Sequence, residues 1–188
     1  MNLADYLKQE IKLSDDTVQL FDNLTDKVEL PKGHQLLKEG SHSKKVYFIE
    51  KGMLRLYYLR DGKDVTHFFH TENQVYAPIE NIFLNQSYPY RLETLENSVL
   101  RTVDFAQIEK HIDENVNLQR FVRYVLTYSL KMVTTHLYDI QHQTAQERYN
   151  NLLKKAPDIL QRVPLGHIAS FLGISQPTLS VIRGEKAK

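Results

Sequence analysis

The run VPLGHIASFLGISQPTLSVIR, Val163 to Arg183, decides how the rest of the chain is read. Pro164 suits the first turn of a helix, where its missing N–H removes no intrahelical hydrogen bond. Ile168 and Leu172 stand one turn apart and give that helix an inner face. Ala169 is small where two helices must cross closely, Gly173 falls where a tight turn favours positive φ, and Ile174 plugs the corner. Ser175 is placed to N-cap a second helix, Pro177 is tolerated in its first turn, and Leu179 and Ile182 supply its inner face. The pattern predicts a helix-turn-helix. Its competitor is a helical hairpin that packs or binds another protein.

Immediately upstream, Gln146 to Lys155 reads as a helix and Pro157-Asp158 starts a short further turn. Asp113 to Gln143 contains neither glycine nor proline, which predicts one long helix. Val122, Leu126, Leu130, Val133, Leu137 and Ile140 step by four and three along it, as a seam with another helix does. Phe121, Val125, Tyr128 and Met132 make a second stripe on an adjacent face. An edge helix of a monomer needs one buried face, so two stripes fit a helix that rests on its own domain and pairs with a second copy. The alternative is a central helix buried within one chain.

From Asp26 to Val103 the pattern is β: Val28-Glu29-Leu30, Leu36-Leu37, Val46 to Ile49, Leu54 to Tyr58 and Val65 to His70 alternate with turn signals. Turns at this spacing indicate a sandwich or barrel-like roll. Asp61-Gly62 between two strand-like runs is a hairpin signal. Met1 to Leu24 reads as two helical segments, with Ser14 as a candidate N-cap between them. The fold class expected is α+β: an antiparallel roll of the double-stranded β-helix or jelly-roll kind, flanking helices, a long helix and a C-terminal helical unit. The boundaries fall at 1–112, 113–143 and 144–188.

The 188-residue chain is 41% hydrophobic and 25% charged, enough to bury a core. It has no cysteine, which excludes disulfides, thiol nucleophiles and cysteine-ligated zinc or iron–sulfur clusters. Met1 to Glu10 lacks the apolar core of a signal peptide, and no stretch is apolar for the 18 or so residues a membrane span requires, so a cytoplasmic protein is expected. His67 and His70 would face opposite sides of a strand, and His136 and His142 are six apart on a helix, so neither pair makes a chelate. There is no Gly-x-Ser-x-Gly elbow and no phosphate-cradling glycine loop. Neither an enzyme nor a bound cofactor or metal is expected. Thr144 to Lys188 holds seven basic and three acidic residues, a net +4; Met1 to Gln143 holds 17 basic and 20 acidic, a net −3. A basic tail on an acidic body suits a chain that lays one end on a polyanion, although a chance fluctuation gives the same count.

Taken in order, GHQLLKEG (33–40), VYFIEKGMLRLYYLRDGKDVTHFF (46–69) and VPLGHIASFLGISQPTLSVIR (163–183) resemble the Crp/Fnr superfamily of transcription regulators over nearly the full length. The resemblance implies a roll that senses an effector, a homodimer along the long helix, and recognition helices set into successive major grooves of double-stranded DNA. Half-sites about one helical turn, roughly 34 Å, apart would follow. It also implies a winged-helix-like unit, yet the few residues after Arg183 leave the expectation of no C-terminal wing.

Two departures qualify what the resemblance implies. Cyclic-nucleotide-binding members hold ribose and phosphate with Gly-Glu and Arg-Ser pairs; here those slots fall near Ala77-Pro78 and on Tyr88-Pro89. With Tyr88 to Thr94 read as a strand, Tyr88, Tyr90, Leu92 and Thr94 share one face and Arg91 points the other way. A buried phosphate needs a cation or several oriented N–H donors. The expectation is an unknown small effector other than a cyclic nucleotide, in a pocket lined by Tyr76, Tyr88, Tyr90 and Leu92, or else a vestigial roll packed with its own tyrosines. In the recognition helix, Pro177 and Val181 replace the Glu and Arg that family members often carry. Gln176 remains for adenine and Val181 for a thymine methyl, with Ser175, Thr178, Ser180 and Arg183 completing the outward set. A member that has lost base reading and acts by binding protein is the competing function.

Overall fold

The computed structural model describes residues 1–185, so Lys186 and Lys188 of the basic tail lie outside the described residues. The chain divides into two compact units. Met1–Leu56 with Phe69–Ser129 make the first; Tyr57–Phe68 with the chain from Leu130 onward make the second.

In the first unit, α1 (Leu3–Gln9) and α2 (Asp15–Leu24) precede β1 (Asp26–Leu30), β2 (Gln35–Leu37) and β3 (Lys45–Lys51). The strands β4 (Leu54–Arg60) and β5 (Lys63–His70) run out of this unit and back into it; β6 (Val75–Tyr76), α3 (Ile79–Phe83), β7 (Arg91–Thr94), β8 (Ser98–Asp104) and α4 (Phe105–Ile112) follow. The strands form two four-stranded sheets, ordered β1-β8-β3-β6 and β2-β7-β4-β5. Val46 pairs with Val103 and Ile49 with Leu100 in the antiparallel β3–β8 ladder, which fixes the apolar residues of both strands in one register. The β4–β5 hairpin turns on Asp61 (φ 53°) and Gly62 (φ 75°), and two successive positive φ values match the right-handed twist of its strands.

The long helix α5 runs Val116–His142. It begins three residues later than its lack of glycine and proline suggests. Asn115 is the reason: its Oδ1 accepts from the N–H groups of Asn117 (2.9 Å) and Leu118 (3.3 Å), an N-cap that separates α5 from α4. Leu118, Phe121 and Val125 are buried in the core with Phe21, Phe48, Phe105 and Ile108. Phe21 and Phe121 meet at 4.7 Å between centroids, and Tyr6 and Phe48 at 4.9 Å. The stripe Phe121–Val125 thus faces the roll, as its spacing predicts.

The second unit holds the distal part of the hairpin, the C-terminal half of α5, and α6 (Ala145–Lys155), α7 (Ile159–Arg162), α8 (Leu165–Phe171) and α9 (Gln176–Glu185). Thr144 and Glu147 close a capping box at the start of α6. Tyr149, Leu152, Ile159, Val163, Ile168, Ala169, Leu172, Leu179 and Ile182 are buried, so the inner faces expected in Val163–Arg183 are inward, while Ile174 at the corner is only partly buried. Among the described residues no strand follows β8. None of their helices is long and apolar enough to cross a membrane.

The turn between α8 and α9 rests on Gly173, with φ +67°, and on the Ile174 N–H, which donates to the Ala169 carbonyl at 3.0 Å. Gly173→Ala should lower stability by about 1 kcal/mol through backbone strain. Ala169→Leu, at 2% exposure, should cost about 1–3 kcal/mol by over-packing the helix crossing. Urea titration followed by circular dichroism checks both; an Ala169→Leu variant as stable as wild type would mean that the crossing is loose.

Candidate nucleic-acid interface and roll interior

The outer surface of α9 is built by exclusion. Leu179 and Ile182 turn inward, so Ser175, Gln176, Thr178, Ser180, Val181 and Arg183 are exposed, Val181 at 62%. All six residues expected to face DNA therefore share the solvent side. Two of them have local duties. Ser175 Oγ accepts from the Thr178 N–H at 3.2 Å and shares a hydrogen bond with its hydroxyl, which caps α9; Ser180 Oγ donates back to the Gln176 carbonyl at 3.2 Å. The side chains of Gln176, Val181 and Arg183 have no such tie among the described residues.

Sequence reasoning missed Arg148. From α6 its Nε and Nη2 donate to the Leu172 carbonyl at 3.0 and 2.9 Å, and Nη1 donates to the Gln143 carbonyl at 2.6 Å. One guanidinium thus satisfies the C-terminal carbonyls of α8 and α5 and sets the angle at which the turn leaves α8. Spacing does not reveal this, since Leu172 is 24 residues away. The hairpin tip also holds α8: the Thr66 N–H donates to Ser170 Oγ at 2.9 Å, and His167 Nε2 lies 3.5 Å from Asp64 Oδ2. The His136 ring lies 5.2 Å from Phe68 and stacks on Phe171 at 5.0 Å, with His67 6.3 Å away.

In the roll, Tyr76, Tyr88 and Leu92 are buried and Tyr90 is partly so. Tyr88 and Tyr90 are not on a strand: β7 starts at Arg91, because Pro89 offers no N–H to a ladder. Tyr88 instead bonds by its backbone to Gly40 and Ser41 (2.8 and 2.9 Å). The phenols still converge. Tyr76 donates its hydroxyl to that of Tyr88, Tyr88 and Tyr90 rings lie 5.4 Å apart, and His70 lies 5.0 Å from Tyr76. Burial pushes the ionisation of both bonded phenols to higher pH, so they stay neutral at any physiological pH.

Arg55 is the second feature the sequence hid, since it sits on β4 amid apolar neighbours. It is 2% exposed and lies 3.1 Å from Glu93 of β7. Arg91 lies 3.6 Å from Glu39. Each of these arginines already has a carboxylate beside it. Among the described residues, no group of three or more histidine, aspartate or glutamate side chains is arranged to hold a metal.

On α5, the expected seam divides. Leu126, Leu130, Val133, Leu137 and Ile140 are exposed at 39–64%, whereas Val122 packs against the roll core with Tyr124. Val122 precedes Leu126 by one helical turn, but drift of the 3.6-residue turn carries it toward the Phe121–Val125 face.

Burial lowers His67 to about 4, with His136 adding a smaller push, and burial likewise lowers His136. Both depressed values favour neutral rings in the folded unit. Their contribution is therefore complete above the ordinary histidine value of about 6.5 and is lost as pH falls from there toward about 4. The second unit should lose stability across that interval, and His67→Gln should flatten the slope. Thermal melts at half-unit steps of pH check this; an unchanged slope in the variant would remove His67 from the account.

Residues 27–115 match the family model of the Cyclic nucleotide-binding domain. No curated protein sequence matches. Among solved structures, FixK2 from Bradyrhizobium japonicum is similar at a TM-score of 0.74 and 19% identity, covering 86% of this chain and 83% of FixK2. A mutant of CooA from Carboxydothermus hydrogenoformans is similar at 0.67 and 16%, covering 93% and 86%. The Thermus thermophilus Catabolite Activator Protein is similar at 0.59 and 16%, covering 97% and 86%. The order roll, long helix and C-terminal helices is thus a fold held in common with these proteins at less than one identical residue in five.

Proposed function

We propose that the chain is a dimeric DNA-binding transcription regulator of the Crp/Fnr type, not an enzyme. In this reading 1–112 senses a small effector, 113–143 pairs with a second copy, and 144–188 binds double-stranded DNA. The observation that carries it is the exposed surface of α9: Gln176, Val181 and Arg183 lie open to solvent on a helix whose inner side is fully engaged. Any edge helix leaves one side in water; here that side carries an amide and a guanidinium, groups that hydrogen-bond base edges and phosphates. Similarity to the Thermus thermophilus Catabolite Activator Protein supports the same reading.

The effector in this reading is not a cyclic nucleotide held in the usual manner. Tyr88-Pro89 occupies the phosphate slot, and Arg55 and Arg91 lie beside Glu93 and Glu39. A phosphate entering there would have to displace a carboxylate, losing one charge-assisted pair for each it made. Tyr76, Tyr88, Tyr90 and Leu92 suit a neutral, more apolar ligand.

A second reading is favoured by Pro177 and Val181, which offer no bidentate contact to guanine: the chain binds a protein partner instead. Fluorescence anisotropy against its own upstream DNA and a random duplex, at two salt concentrations, separates the two. DNA regulation predicts a preference for the upstream duplex. Gln176→Ala should cost about 1–3 kcal/mol at one base position, and Arg183→Ala should weaken all duplexes and lower the salt slope by about one. Equal affinity for both duplexes, with and without added small molecules, would favour the protein-binding reading.

A further inference from the structure

Stepping back from Leu126 by three, four and three residues reaches Arg123, Gln119 and Val116, all exposed, Val116 at 66%. The stripe therefore runs from Val116 to Ile140 in alternating threes and fours, and is apolar except for one polar layer at Gln119 and Arg123. An open groove of about 420 Å³ lies at this layer, and Asp113 and Arg123 both line it. Both are exposed, and neither has an ion-pair partner in its own chain among the described residues.

We propose that this layer sets the register between two copies, with Arg123 of one pairing with Asp113 of the other. The inference rests on dimerisation through α5. Antiparallel overlap of the stripe would place Arg123 against Val133 and Gln119 against Leu137, desolvating polar groups on apolar ones. Parallel, in-register overlap places polar on polar, but brings two Arg123 side chains together near the two-fold axis. A carboxylate on the same groove relieves that repulsion. Because an isologous interface presents one patch twice, a groove carrying both charges is complementary to its own copy. A single polar layer in an otherwise apolar seam specifies alignment in this way.

Sedimentation equilibrium on the full chain tests it, using wild type, Arg123→Glu, Asp113→Lys, the double reversal and Arg123→Leu. Each single reversal should weaken the dimer about tenfold or more, and the double should return to within about threefold of wild type. Arg123→Leu should bind no more tightly than wild type. Single reversals within about threefold of wild type, a double as weak as the two singles combined, or a tighter Arg123→Leu dimer would each overturn the pairing while leaving dimerisation intact. A wild type that stays monomeric at every concentration would overturn the dimer reading itself. Circular dichroism on each variant confirms folding, which exposed positions should preserve.

Discussion

The structure depends on a helix with two apolar faces. The inner face of α5 puts Leu118, Phe121 and Val125 at no more than 6% exposure in the roll core. The outer face leaves Leu126, Leu130, Val133, Leu137 and Ile140 in water. Scattered surface leucines are ordinary, but five along one line form a contiguous patch of the kind that marks an interaction site. The inner face fixes the helix rotation through Phe21–Phe121 packing, so the outer stripe cannot turn inward without opening the core. Burying it requires a second surface.

What was legible in the sequence was what is decided locally. Gly173, Ser175, Leu179 and Ile182 fill their places because turns, caps and helix faces are set within a few residues. Asp61-Gly62 marks its hairpin for the same reason. What was hidden depends on distant partners. Arg55 looks misplaced among Leu54 and Leu56 until Glu93, 38 positions away, arrives across the sheet. Arg148 reads as a surface charge until the Leu172 carbonyl reaches it. Val122 fits the seam by spacing, and only the rotation of α5 on the roll assigns it to the other side. Tyr88 alternates with Tyr90 and Leu92 as on a strand, but Pro89 between them ends the ladder and β7 begins at Arg91.

In the proposed function, the roll interior would change its ligand preference without a change of fold. The sheets need only apolar residues in register, and that requirement is indifferent to what sits beside α3 and β7. With Glu93 beside Arg55, the arginine's charge is balanced without an added anion. Neutral phenols then occupy the remaining space. The Tyr76–Tyr88 hydroxyl pair leaves a polar ligand little reason to enter unless it replaces that hydrogen bond.

The two ends of the molecule answer each other in the proposed function. A recognition helix with valine in place of arginine gives up about 1–3 kcal/mol of discrimination at one base pair. Phosphate contacts from Arg183 and other basic residues restore affinity but carry no sequence information. Specificity then has to come from geometry, through two weak readers held at a fixed spacing, so that the second binds at the high effective concentration set by the first. Such an arrangement works only if the connection between the readers is stiff and correctly aligned. A seam of Leu126 to Ile140 supplies the stiffness, and the polar layer at Gln119 and Arg123 supplies the alignment. The less a single α9 can read, the more the regulator relies on α5.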